Sequence, residues 1–161
     1  MEGMSIFQAD LDDTGHQSAI LELVDMYARE PMGGGRPLPD SVRAGMIPGL
    51  RAHPTTVVFL ARVGDVPVGV AVCFGGFSTF AAKPLLNIHD LAVRPEFRGR
   101  GIGRGLMEAA EAHARAMGCC KLTLEVLETN ALARKAYHAF GFNPLSYTGD
   151  TGSCLFYAKP L

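Results

Sequence analysis

Four glycines at alternate positions, Gly99, Gly101, Gly103 and Gly105, stand between a strand-like apolar stretch and an amphipathic helix. Glycine has no Cβ, adopts positive φ readily and lets the backbone approach a ligand closely. This stretch therefore constrains the fold more than any other: a strand must enter a tight turn, and the turn must open a helix. The strand ends in Leu91-Ala92-Val93, and Arg94-Pro95 stops it, because proline cannot donate to a ladder. The helix, over residues 101–117, carries Ile102, Leu106, Ala109, His113 and Ala116 on one stripe and Arg104, Glu108, Glu111 and Arg115 on another. The unbonded N–H groups of a helix start form an anion site. Arg94, Arg98, Arg100 and Arg104 surround this one. Cations at a helix N-terminus cost ~0.3–1 kcal/mol each unless an anion is present, and a polyphosphate would remove that conflict. A second reading also stands, in which the glycines only build a turn and Arg104 pairs with Glu108. The alternate spacing makes neither G-x-G-x-x-G nor G-x-x-x-x-G-K-[ST].

The remaining elements follow from periodicity and punctuation. Residues 5–9 read as a strand, and 14–29 as a helix with Ile20, Leu21, Val24 and Tyr27 at helical spacing. The glycine- and proline-rich residues 30–39 form a loop, either an acceptor-side flap or a plain solvent loop, and 40–50 a second helix. Strands are expected at 56–62, 66–73 and 85–93, with Gly64-Asp65 turning the first hairpin. After the glycine-rich helix come a strand at 121–127, a helix at 130–140 stopped by Gly141, and two closing strands at 144–147 and 153–159. This mixed order predicts an α/β (α+β) domain with helices covering a central sheet, a single domain over residues 1–161.

Composition narrows the class further. Apolar residues make up 48% and charged residues 19%, which excludes intrinsic disorder. The formal net charge is −1, so a generic nucleic-acid binder, normally basic, is not expected. No secretory leader and no membrane-length apolar run is seen, and the chain reads as cytoplasmic. Cys73, Cys119, Cys120 and Cys154 make no C-x-x-C pair, so they read as reduced thiols, with no metal site.

A second constellation, Asn130, Ala133, Tyr137, Gly141 and Phe142, has the pattern N-x-x-A-x-x-x-Y-x-x-x-G-F. Asn130 and Tyr137 are two helical turns apart and share a face. The two constellations together resemble the GNAT superfamily of N-acetyltransferases. Its pyrophosphate signature, [QR]-x-x-G-x-[GA], is met by Arg98, Gly101 and Gly103, with a loose similarity to the spermidine/spermine acetyltransferase branch around residues 77–80. The resemblance is strong over residues 85–142.

The resemblance implies a mixed sheet of about seven strands with splayed parallel central strands, and about four helices. It implies acetyl-CoA, held by the backbone of Leu91, Ala92 and Val93, by Arg98, Gly99, Arg100, Gly101, Ile102, Gly103 and Arg104 around the pyrophosphate, and by Asn130 and Tyr137. It implies direct acetyl transfer to a primary amine, a small polyamine-like acceptor being favoured over a peptide or protein amine. A non-catalytic acetyl-CoA-binding module is the alternative. Tyr137 stands where the family protonates the leaving thiolate. His89 stands where several members place a glutamate, followed here by Asp90. An imidazole with an ordinary pKa near 6.5 is a competent base, and Asp90, a water chain or Glu125 are the other candidates. Strand alternation predicts that only one of His89 and Asp90 faces the substrate. A homodimer is common in the family and is expected here.

Overall fold

The computed structural model describes residues 3–145 and 154–161. The chain divides into two compact units, Met1–Leu124 and Glu125–Leu161. The first holds a five-stranded sheet in the order β1-β2-β3-β4-β5. Its strands are β1 (Met4–Gln8), β2 (Thr56–Val63), β3 (Val66–Ser78), β4 (Lys83–Val93) and β5 (Leu122–Leu124). Neighbours from β1 to β4 are antiparallel, and β5 joins parallel to β4.

Two helices cover one face. Helix α1 (Thr14–Arg29) starts where predicted, because the Asp13 carboxylate accepts the His16 N–H at 2.9 Å. That hydrogen bond holds the Asp13 carboxyl below its ordinary pKa. The helix presses Ala19, Ile20 and Leu23 onto Val58, Leu60, Val70, Val72 and Ala92, and α2 (Asp40–Ala52) adds Ile47. Burial of side chains the size of Ile20 or Leu23 contributes about 1.5–3 kcal/mol each. Helix α3 (Ile102–Ala116) lies on the other face. There a Cβ on Gly69 would stand 3.1 Å from both Ile102 and Leu106, and one on Gly105 would run into Ile6. Gly105 is thus a packing glycine, which lets α3 cross β1 closely.

The loop after α1 is tied down. Gly33 packs under the Tyr27 carbonyl with no room for a Cβ. The Arg36 N–H donates to Ala28 O at 3.2 Å and the Leu38 N–H to the Asp25 carboxylate at 2.8 Å. Asp25, only 7% exposed, also meets Arg29 at 2.9 Å and Arg43 of α2 at 3.2 Å. The Leu38 hydrogen bond, then the arginines, hold its carboxyl below the ordinary range against the opposing effect of burial.

Two expectations need correction. The sheet has five strands among the described residues, not about seven. Residues 144–145 and 154–159 carry no strand, and residues 146–147 and 153 lie outside the described residues. The described tail is exposed throughout, so it buries nothing to offset the entropy of ordering a strand. In the other direction, β3 runs on to Ser78 through Gly75 and Gly76. These glycines let the ladder pack tightly: a Cβ would stand 3.1 Å from Thr55 at Gly75 and 3.0 Å from Leu85 at Gly76.

In the second unit, α4 (Ala131–Phe140) is capped by Asn130, whose Oδ1 accepts the Ala133 N–H at 3.1 Å. It ends at Gly141, φ 110°. The Phe142 N–H then donates to Tyr137 O at 3.0 Å, and the two rings meet edge to face at 6.0 Å.

Candidate functional site

The site of the first unit is built on β4. Its partner β5 pairs only with Leu86, Asn87 and Ile88. From residue 89 to 93 that edge of β4 is left unpaired by β5, so the backbone of Leu91, Ala92 and Val93 lies along an open strand edge. On the other edge β3 pairs throughout, but the register shifts: Val72 faces Asp90 and Cys73 faces Ile88. His89 is therefore the extra residue of a β-bulge. A bulge interrupts alternation and re-aims side chains.

The consequence overturns the expectation from simple alternation. Asp90 pairs with Val72, which belongs to the core under α1. The His89 ring lies 5.4 Å from Phe74, which packs against the same core. Both side chains thus face the α1 side. His89 is exposed and Asp90 half-buried. Burial raises the Asp90 pKa above the ordinary carboxylate range, with the His89 charge pulling the other way. The Tyr27 hydroxyl is raised too, first by burial and then by the negative charges of Asp90 and Glu30. Tyr27 is a site neighbour that sequence reading placed only as a core position.

Beyond Val93 the chain makes a 3-10 turn, Pro95–Phe97, that consumes the N–H groups of Phe97 and Arg98. Gly99 (φ 73°) and Gly101 (φ 82°) then take left-handed conformations, and a Cβ on either would meet nothing within 4 Å. Helix α3 starts behind them with no side-chain cap. The first N–H groups of α3 thus have no side-chain acceptor and stand behind open, left-handed glycines. Gly103 already lies in the helix, its missing Cβ 3.8 Å from Val93.

The arginines separate by role. Arg94 donates from Nε to Pro67 O at 2.7 Å and pairs with Glu22 of α1. Arg98 donates from Nε to Val93 O at 2.9 Å and pairs with Glu30 at the end of α1. Both strap the turn to α1. Arg100 stays on the turn, donating to Glu96 O at 3.0 Å with its guanidinium 5.1 Å from the Phe97 ring centre. Arg104 pairs with Glu108 at 2.8 Å. These straps were hidden in the sequence, because the partners lie 72 and 68 residues away.

A meander extended by a parallel strand, covered by helices on both faces and opening beside a glycine-rich helix start, defines the acetyltransferase architecture. Residues 20–142 match the model of the "Acetyltransferase (GNAT) family", and the chain belongs to that family. It is 38% identical over 91 residues to a streptothricin acetyltransferase of Streptomyces lavendulae, covering 56% of this chain and 46% of that one. To a thialysine N-epsilon-acetyltransferase of Bos taurus it is 32% identical over 83 residues, 52% of this chain and 48% of that one. The chain thus spans about half the length of the curated relatives it matches. Among solved structures, it superposes on a probable acetyltransferase with a TM-score of 0.77 at 22% identity, over 96% of this chain and 99% of that one. An aminoglycoside N-acetyltransferase in complex with CoA gives 0.75 at 20% identity, over 97% and 94%. These likenesses show the fold.

Proposed function

We propose that residues 1–161 form one acetyl-CoA-dependent N-acetyltransferase domain that transfers acetyl directly to the primary amino group of a small molecule in a ternary complex. The observation that carries this reading is continuity: the open edge of β4 leads straight into the uncapped, glycine-lined start of α3. That sequence of surfaces suits an amide-bearing arm followed by a pyrophosphate. Cβ atoms at Gly99 and Gly101 would meet no protein atom within 4 Å, which supports close approach of a pyrophosphate to this turn.

In this reading the backbone of Leu91, Ala92 and Val93 binds the arm as an added strand would. The amides of Gly99, Arg100, Gly101, Ile102, Gly103 and Arg104 hold the pyrophosphate, with the Arg100 and Arg104 side chains beside it. Arg98 acts by fixing the turn. Asn130 spends its Oδ1 on capping α4 and offers its Nδ2 to the arm. Acetyl-CoA supplies the acyl group as a thioester.

The residues do the following. His89, with Asp90 beside it on the same face, takes the proton from the ammonium, directly or through water. The Ala92 or Val93 N–H stabilises the negative charge that develops on the acyl oxygen. Tyr137 gives its hydroxyl proton to the leaving sulfur. The balance closes with two protons leaving the nitrogen: one passes from the ammonium to His89 and on to solvent before attack, and the second leaves as the C–N bond forms and the C–S bond breaks, restoring the Tyr137 hydroxyl that protonated the sulfur. The cytoplasmic location and the homodimer belong to the same reading.

The test is a calorimetric titration with acetyl-CoA and with CoA lacking its 3′-phosphate, followed by turnover of an amine panel. Micromolar binding at one site per chain is expected, and loss of the acidic limb of the pH–rate profile in His89→Ala. No binding at millimolar acetyl-CoA would sink the proposal. An unchanged acidic limb would remove His89 as the base.

A further inference from the structure

The acceptor side of β4 carries a row of three rings, of which the proposed transfer chemistry uses only His89. Phe74 of β3 sits between two imidazoles: His53 at 4.8 Å with an interplanar angle of 63°, and His89 at 5.4 Å and 66°. Both contacts are edge to face. His53 is a built position. It caps α2, its N–H donating to Gly49 O at 3.0 Å. Its Nδ1 lies 3.4 Å from both the N–H and the hydroxyl of Thr55, and that hydroxyl donates to Gly75 O at 3.1 Å. His53 and His89 are exposed, so their rings extend the Phe74 surface toward solvent. Met46, Leu50 and Tyr27 pack against the same core on this face.

The charges on this face are unevenly available. Of the acids on α1, Glu22 is paired with Arg94 and Asp25 with Arg29 and Arg43, while Glu30 at its cap is paired with Arg98. Asp40 is exposed in the first turn of α2, where it complements the helix end. Strand β2 and strand β3 contribute no acid. Among the described residues of these elements, Asp90, which interacts with the His89 charge, is the acid on this face of the sheet that forms no salt bridge with an arginine. A polycation needs several such carboxylates, and this face offers one beside three rings.

We infer that His53, Phe74 and His89 form the wall on which the acceptor lies, and that the acceptor is an amine with one cationic centre and a flat unsaturated body, an arylalkylamine rather than a polyamine. The inference rests on the acetyltransferase reading and names its substrate class. The ammonium sits toward Asp90, and the body stacks on Phe74 and on His53, which acts in specificity and not in the chemistry.

The experiment compares phenethylamine with spermidine in steady-state acetylation by the wild type, His53→Ala and Phe74→Leu. The imidazole C–H resonances of His53 and His89 are followed by NMR during titration with each amine without acetyl-CoA. Phenethylamine should have a kcat/KM at least about tenfold above spermidine. Each variant should raise its KM about 3- to 10-fold, the worth of one ring contact, while the KM for acetyl-CoA stays put. Phenethylamine should shift both histidines and spermidine neither. Higher kcat/KM for spermidine, or histidine signals unmoved by phenethylamine, overturns the inference. Lack of turnover together with lack of acetyl-CoA binding would overturn the enzymatic reading instead, and the histidine shifts would still decide the acceptor wall.

Discussion

Gly101 and Gly118 stand at the two ends of α3 and form a matched pair. Both are left-handed, φ 82° and 71°, and a Cβ on either meets nothing within 4 Å. Replacing either by alanine therefore adds backbone strain without a clash. A non-glycine residue in this conformation costs about 1–2 kcal/mol. For a chain of this size that lowers Tm by roughly 2–8 °C, at about 2–4 °C per kcal/mol. The two variants should melt alike. They should part on acetyl-CoA. At Gly101 the new methyl occupies the cradle and takes away one charge-assisted hydrogen bond, worth ~1.5–3 kcal/mol. The Kd should rise about 10- to 100-fold. At Gly118 the methyl points away from the cradle, and the Kd should match the wild type. Differential scanning calorimetry gives the first quantity and isothermal titration the second. A wild-type Kd in Gly101→Ala would refute the cradle. Equal weakening in both variants would show that α3 stability, not close approach, governs binding.

Three further outcomes are expected. Tyr137→Phe should lower kcat about 10- to 1,000-fold with acetyl-CoA binding nearly intact, and unchanged turnover would remove Tyr137 as the acid. Asp25→Ala breaks the joint that holds Leu38, Arg29 and Arg43 and should cost about 2–3 kcal/mol in urea denaturation; a loss below half that would show that the loop is held by other contacts. Asp90 has a folded pKa above its unfolded value of about 3.9. Between the two the folded state binds more protons, so its contribution to stability falls as pH rises through that window. Asp90→Asn should therefore raise Tm most at neutral pH, with the gain shrinking toward about pH 4, and a pH-independent gain would contradict burial as the cause.

Where the sequence was readable, local chemistry was the reason. The spacing of Ile20, Leu21, Val24 and Tyr27 places α1, and the glycines before Ile102 place the turn that opens α3. Gly141 stops α4 as expected. What stayed hidden was non-local. The bulge at His89 exists only in the pairing of β4 with β3, and no residue in His89-Asp90 signals it. The ranking of the arginines depends on Glu22 and Glu30, which lie on a distant helix. The ring row joins α2, β3 and β4, three segments that share no local pattern. The length of β3 was hidden too: the expected strand ended at residue 73, and close packing at Gly75 and Gly76 carries the ladder on to Ser78.

The bulge also says something about how such a chain can change. One strand serves two ligands in the proposed reading, its edge for the acyl donor and its face for the acceptor. The single extra residue at His89 sets the phase between those two surfaces. Side chains along β4 can be exchanged one at a time, and each exchange tunes a single contact. Adding or deleting one residue between Ile88 and Val93 would instead rotate everything beyond it to the opposite face, moving Asp90 away from the acceptor and the Val93 carbonyl away from Arg98. Acceptor preference in this lineage should therefore drift by substitution on a strand of conserved length, with insertions and deletions confined to the loops around it.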